Sequence, residues 1–261
     1  MDPVAFAERG WTHADSIPGL DTWLAHAVPH AERLIAAPEN ARWLRAGGTW
    51  YAGVNLLNND ARGACPGGPP LPRALLDAIT ACDAAPFEGW DTAQLSVVYP
   101  HYPRRDPDES EASHAFRRNR DAAHVDGLHA VGPARRRHAN EHHAFVLGLP
   151  WTPAPDGASA LAVWEGSHRL MRERLAAALD GLDPADWPSV DLTEAYQAAR
   201  RAVFEACPRV EVQAPVGGAY LVHRLAVHGI SPWRADAAEG ARRAVAYFRP
   251  ALTNAGDWLA A

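Results

Sequence analysis

The chain has 261 residues, 48% hydrophobic and 21% charged, with 10 Trp and a formal net charge of -6. Such a composition is globular, long enough to bury a sizeable core in a single domain over 1-261, and poorly suited to general nucleic-acid binding. No apolar run reaches membrane-spanning length, and Met1-Asp2-Pro3 has neither a basic start nor a hydrophobic signal core. The expectation is a cytoplasmic protein with no nucleic acid and no membrane among its partners. Cys65, Cys82 and Cys207 are odd in number and widely spaced, which fits reduced thiols, and no Cys-x-x-Cys suggests structural zinc. All 25 basic residues are Arg, whose fork suits fixed contacts to carboxylates and phosphates.

In chain order, residues 1-90 read as a mostly helical support region. Asp21 to Ala36 and Leu71 to Ala84 carry apolar residues at three- and four-residue intervals, and Thr49 to Leu57 between them is β-prone. The short β-branched run Gln94 to Pro100 opens a sheet region expected over 94-250. Pro103 to Arg120 is dense in charge, a solvated loop or an active-site lid. Strand character returns at His143 to Leu149 and within Asp156 to His168. A helical insertion over about 169-207 follows, its second helix opening with the capping-box spacing of Asp191-Leu-Thr-Glu194. Short strands at Arg209 to Gln213, Ala219 to Leu225 and Ala244 to Phe248 complete a pattern of strands and Gly/Pro turns that favours a sandwich or barrel over a doubly wound sheet.

The candidate chemistry lies in Arg120-Asp-Ala-Ala-His124-Val-Asp126-Gly127. In an extended segment His124 and Asp126 fall on one side, so both can hold one ion; a third ligand from a distant strand would complete a facial triad with open positions. With 13 His and 31 acidic residues, the His-x-acid spacing arises by chance, and His13/Asp15 and His30/Glu32 also fit it. Neither has a strand-like His-Gly element close behind. The third ligand is sought in Tyr220 to Pro232, which carries His223 and His228-Gly229; Arg242, 14 residues after His228, could clamp a keto-acid carboxylate.

Four blocks in order, His124-Val-Asp126-Gly127, Asp156-Gly to Gly166-Ser-His168, His223 to His228-Gly229 and Arg242-Arg-Ala-Val, resemble the Fe(II)/2-oxoglutarate-dependent dioxygenases, and within them the phytanoyl-CoA dioxygenase-like group. The resemblance implies a mainly β fold with flanking helices, a double-stranded β-helix (jelly roll, cupin-like). It implies Fe(II) on His124, Asp126 and His228, and 2-oxoglutarate as cosubstrate on Arg242 rather than Arg243. It also implies O2 as a reactant and hydroxylation of a small-molecule substrate with release of succinate and CO2. His223 would line the pocket or sit in the core, and Trp164 would face substrate or pack inside. Ile230 and Glu165 depart from the family's usual small hydroxyl residue and Pro. Two other readings remain: a non-haem iron oxygenase that uses no 2-oxoglutarate, and a non-catalytic small-molecule-binding protein. The sequence carries no signal of oligomeric state.

Overall fold

Strands covered on both faces leave no polar side to mark their orientation, and five such strands occur among the described residues. A computed structural model describes residues 1–84 and 86–260. Its elements, in chain order, are α1 (Pro3–Arg9), β1 (Trp11–Ala14), α2 (Leu20–Ala36), β2 (Leu44–Arg45), β3 (Trp50–Gly53), α3 (Arg73–Ala81), β4 (Gln94–Val98), α4 (Glu111–Arg120) and β5 (Leu128–Val131). They continue with β6 (Arg136–Ala139), β7 (Phe145–Pro150), β8 (Leu161–Trp164), α5 (Ser167–Ala178), α6 (Thr193–Ala206), β9 (Arg209–Val212), β10 (Ala219–His223), β11 (His228–Ile230) and β12 (Arg243–Phe248).

A seven-stranded sheet runs β1-β10-β7-β12-β4-β3-β2, a three-stranded sheet runs β11-β8-β9, and β5-β6 is a separate hairpin, all antiparallel. Alternation sends Val146, Tyr220, Val222, Val245 and Tyr247 of the large sheet into one buried cluster with Leu161, Val163 and Val212 of the small one. The opposite faces of the same strands, through Leu95, Leu147, Leu221 and Phe248, pack on Trp23 and Leu24 of α2 and Leu75 of α3. Ala162 and Trp164, on the far face of the small sheet, pack under α5 and α6 with Met171, Tyr196 and Val203. The result is a mainly antiparallel β structure with helices on its outer faces. No helix among the described residues is long and apolar enough to cross a membrane.

Three local readings are corrected. The first ninety residues are more than a helical support, because β1 edges the large sheet against β10, and β2 and β3 extend it beyond β4. The charged stretch before His124 is not all loop: Ser110 caps α4 by accepting from the Ser113 N–H. At the start of α6, Asp191 Oδ1 accepts from Thr193 N at 2.9 Å, while the Thr193 hydroxyl accepts from Arg137 N, so the expected capping box is not formed.

Gly148 pairs in register with Tyr220 on one side and Tyr247 on the other, and the two tyrosine hydroxyls meet at 2.7 Å. A Cβ at Gly148 would lie 2.2 Å from the Tyr220 ring. Gly148→Ala is therefore expected to lower unfolding free energy by about 1–3 kcal/mol through overpacking, read from urea midpoints. An unchanged midpoint would show that the ring is free to shift.

Candidate metal centre

The metal segment is held to β11 by its backbone. His124 N donates to His228 O at 2.8 Å and His228 N returns a bond to His124 O at 3.0 Å. This isolated antiparallel bridge puts the two imidazoles side by side, with ring centroids 4.9 Å apart. Asp126, two residues on, turns inward against both: Oδ1 lies 3.0 Å from His124 Nε2 and Oδ2 lies 3.6 Å from His228 Nε2. One donor atom from each of the three residues lies within 4.8 Å of the others.

The ring orientations favour a cation among them. His124 Nδ1 faces Ala122 O at 3.0 Å and His228 Nδ1 faces Ala226 O at 2.9 Å. A carbonyl oxygen only accepts, so each Nδ1 carries a proton and each Nε2 is turned to the carboxylate, where it donates if protonated and offers a lone pair if not. Three lone-pair donors facing one another require either protons or a metal ion between them.

Burial alone would raise the Asp126 pKa; the Arg249 guanidinium and the hydrogen bonds to His124 and His228 outweigh it and hold the carboxyl well below its usual range. Burial alone would lower the His228 pKa, but Asp126 reverses the balance and raises it. Arg249 Nη1 lies 3.4 Å from Asp126 Oδ2, its Nη2 donates to Gln94 Oε1, and its backbone N–H is accepted by Asp91 Oδ1 at 2.8 Å. Neither Arg249 nor Gln94 was singled out by the sequence. Both lie on the same inward face as Ser96 and Tyr247 in their strands, a face recognisable only once strand orientation is known.

Two cavities meet at this point. An inner pocket of about 100 Å³ is lined by Trp50, Ser96, Val146, Leu161, Ile230 and Tyr247, and an outer groove of about 1180 Å³ opens towards α4, α6 and the β5-β6 hairpin. His124, Asp126 and Arg249 line both. Behind Tyr247, the buried Arg243 donates through Nη2 to the Tyr220 hydroxyl at 2.9 Å and the Tyr247 hydroxyl at 3.2 Å. Its Nη1 is buried without a partner, and no carboxylate among the described residues pairs with it. Burying a guanidinium unpaired is costly, so an anionic ligand is the natural complement.

With this geometry established, the chain can be set beside known proteins. No protein-family profile matches the sequence, and no curated protein sequence matches it. Solved structures do. The non-heme alpha ketoglutarate dependent carbocyclase SnoK from nogalamycin biosynthesis superposes with a TM-score of 0.56 at 16% identity, covering 97% of this chain and 83% of SnoK. The chain shares its fold with such enzymes. The epimerase SnoN, crystallised with Fe3+, alpha ketoglutarate and nogalamycin RO, gives a TM-score of 0.52 at 16% identity over 96% of this chain and 82% of that one. AviO1 from Streptomyces viridochromogenes Tue57 gives 0.51 at 18% identity over 96% and 93%.

Strand alternation turns Arg242 away from the site it was expected to serve and decides between the two places left open for Trp164 and for His223. Arg242, one residue before β12, points to the opposite side of the sheet from Arg243 and binds Glu32 through Nη1–Oε2 at 3.0 Å and Nη2–Oε1 at 2.8 Å, away from both cavities. The same contacts occupy Glu32, while His30 faces Leu57 O at 3.1 Å and His13 sits on edge strand β1, 3.5 Å from the exposed Asp15. Trp164 lies beneath α6 against Phe204, not towards the pocket. His223 lies outside the pocket, packed with tilted rings between Phe6 and His168, where its Nδ1 accepts from Leu225 N at 3.1 Å.

That histidine pair makes a pH prediction. Burial, reinforced by Arg169, Arg172 and Arg224 against a weaker opposing hydrogen bond to Ala7 O, pushes the His168 pKa down to about 4, and its buried Nδ1 has no acceptor for a second proton. The folded value lies below the unfolded one, so this stability is present above about pH 6.5 and is lost as pH falls towards 4. Between pH 7.5 and 5 the loss from this residue is expected to be about 2 kcal/mol, and His168→Gln should flatten that part of the urea-denaturation profile. An equal slope in both proteins would refute it.

Proposed function

We propose that this protein is an Fe(II)- and 2-oxoglutarate-dependent oxygenase, hydroxylating a small organic substrate with release of succinate and CO2. The observation that carries the reading is the convergence of His124, Asp126 and His228 on one point; a buried guanidinium without a carboxylate partner, Arg243, lies behind the pocket-lining Tyr247 and supports it. The likeness to the folds of SnoK and SnoN supports it, and so do the four sequence blocks that resemble the phytanoyl-CoA dioxygenase-like group. On this reading the two facing sheets are the halves of a double-stranded β-helix, and the helices after β8 are an insertion in it.

His124, Asp126 and His228 fit Fe(II) as two neutral imidazoles and one carboxylate on a single face, leaving positions open for other ligands. When bound there, iron with the keto acid and O2 supplies the oxidising power for attack on a substrate C–H bond. The chain's own residues hold and orient. Arg249 braces the Asp126 carboxylate, fixing which oxygen faces the ion, and the Ala122 and Ala226 carbonyls lock the imidazole rings. Arg243, with the Tyr220 and Tyr247 hydroxyls, receives the distal carboxylate of the keto acid in place of Arg242. Val146, Leu161 and Ile230 line the inner pocket with apolar surface that excludes water.

The test is succinate formation from 2-oxoglutarate with Fe(II), ascorbate and O2, followed in paired arginine variants. Arg243→Gln is expected to raise KM for 2-oxoglutarate roughly 100-fold or more, the loss of two charge-assisted hydrogen bonds. Arg242→Gln should leave KM within about twofold and cost about 0–1 kcal/mol of stability as its half-exposed pair with Glu32 is removed. His228→Ala should abolish both turnover and stoichiometric Fe(II) binding. Wild-type protein that binds no Fe(II) anaerobically, or an Arg242 effect exceeding that of Arg243, would overturn the assignment.

A further inference from the structure

Resting on the oxygenase reading, we infer that the substrate is an organic anion, larger than the keto acid, whose carboxylate or phosphate is held by Arg137 and Arg200 in the outer groove. The inner pocket has no room for a second sizeable molecule, whereas the groove on the other side of His124 and Asp126 offers about 1180 Å³.

Its cations are unequally committed. Arg117 is taken by Glu109 at 3.0 Å, and Arg249 faces Asp126. The nearby acids are equally occupied: Asp121 receives both arms of Arg209 at 2.6 and 2.9 Å, Asp191 lies 3.6 Å from Arg136, and Glu141 lies between His129 and His143 at 3.4 and 3.1 Å. Among the described residues no carboxylate is left for Arg137 or Arg200. Asp91, the remaining acid of the groove, accepts from the Arg249 backbone, and its burial raises its pKa.

Arg135 also lines the groove, and no ion pair is formed by it among the described residues; Arg137 and Arg200 differ from it in having their guanidiniums fixed in place. Arg137 Nη1 donates to Leu128 O at 3.0 Å and Arg200 Nη1 to Ala123 O at 3.5 Å, the carbonyls that flank the metal segment on its two sides. Both lie over the Tyr196 ring, at 5.9 and 5.3 Å from its centroid, and Arg200 also lies over Phe116 at 4.7 Å. A guanidinium held by stacking, with donors left over and no acid beside it, is prepared for a carboxylate or phosphate at little further entropic cost. Phe116, Val125, Leu128 and Leu252 line the groove alongside and would cover an apolar body attached to that anion.

The test uses the full chain, both metal-free and loaded anaerobically with Fe(II) and 2-oxoglutarate, titrated calorimetrically with pyrophosphate and with decanoate to separate phosphate from carboxylate sources; decanol is the neutral control. At least one anion should bind in both states, with affinity falling about tenfold or more in Arg137→Gln and in Arg200→Gln. Arg200→Lys should recover part of it, and Arg136→Gln, on the outer side of the hairpin, should match wild type. Binding of neither anion, equal binding of decanol, undiminished binding in both variants, or a loss seen only in Arg243→Gln would overturn the inference. Failure of the wild type to form succinate, with anion binding intact and sensitive to both arginines, would sink the iron reading alone and support the anion site.

Discussion

The centre depends on two backbone hydrogen bonds, exchanged between His124 and His228. A loop is fastened to a strand of the small sheet by the same residues whose side chains face each other, so the spacing of the imidazoles is set by main-chain geometry rather than by side-chain packing. The attachment extends both ways. Ile230 N donates to Asp121 O at 3.0 Å, and a Cβ at Gly229 would lie 2.1 Å from that oxygen, so the strand can approach the loop only with glycine there. Asp121 adopts φ 55°, and the bidentate grip of Arg209 on its buried carboxylate helps hold that uncommon conformation in place.

Charge is concentrated around this attachment in a way that stability alone would not favour. Asp126 is buried against Arg249 and two histidines, and Arg243 is buried with only hydroxyls for company. Replacing buried ionic groups by apolar residues of similar size is often stabilising. Their presence in a core otherwise filled by Val, Leu and Tyr is what the proposed ligands account for: a cation for one, an anion for the other.

Element types were largely legible in the sequence because α2, α3, α5 and α6 carry regular apolar spacing and the strands are short β-branched runs between Gly/Pro turns. The His124, Asp126 and His228 set was legible because its members have chemistry that few other pairings in the chain can use. Direction was not. In β4, β7, β8, β10 and β12 every residue is buried, so the two faces of each strand look alike in composition. Arg242 and Arg243 are adjacent, and alternation turns one to Glu32 and the other to the Tyr220 and Tyr247 hydroxyls between the sheets; the same ambiguity left His223 and Trp164 open between pocket and core. β1 escaped notice because a four-residue edge strand containing His13 has little periodicity, and α4 because Glu111 to Arg120 contributes no buried residue.

The groove is built from different parts than the metal site. His228 lies on the small sheet, and Tyr220, Arg243 and Tyr247 belong to β10 and β12, whereas Arg137 comes from a two-stranded hairpin and Arg200 from α6. The hairpin meets the metal segment through Gly127, whose carbonyl accepts from Asn140 N at 3.0 Å, and meets α6 through the Thr193 hydroxyl and the Leu192 N–H to Arg137 O. Side chains on its exposed turn therefore change with little effect on the donors around the ion. Such an arrangement lets the wall of the groove vary while the backbone bridge between His124 and His228 stays fixed.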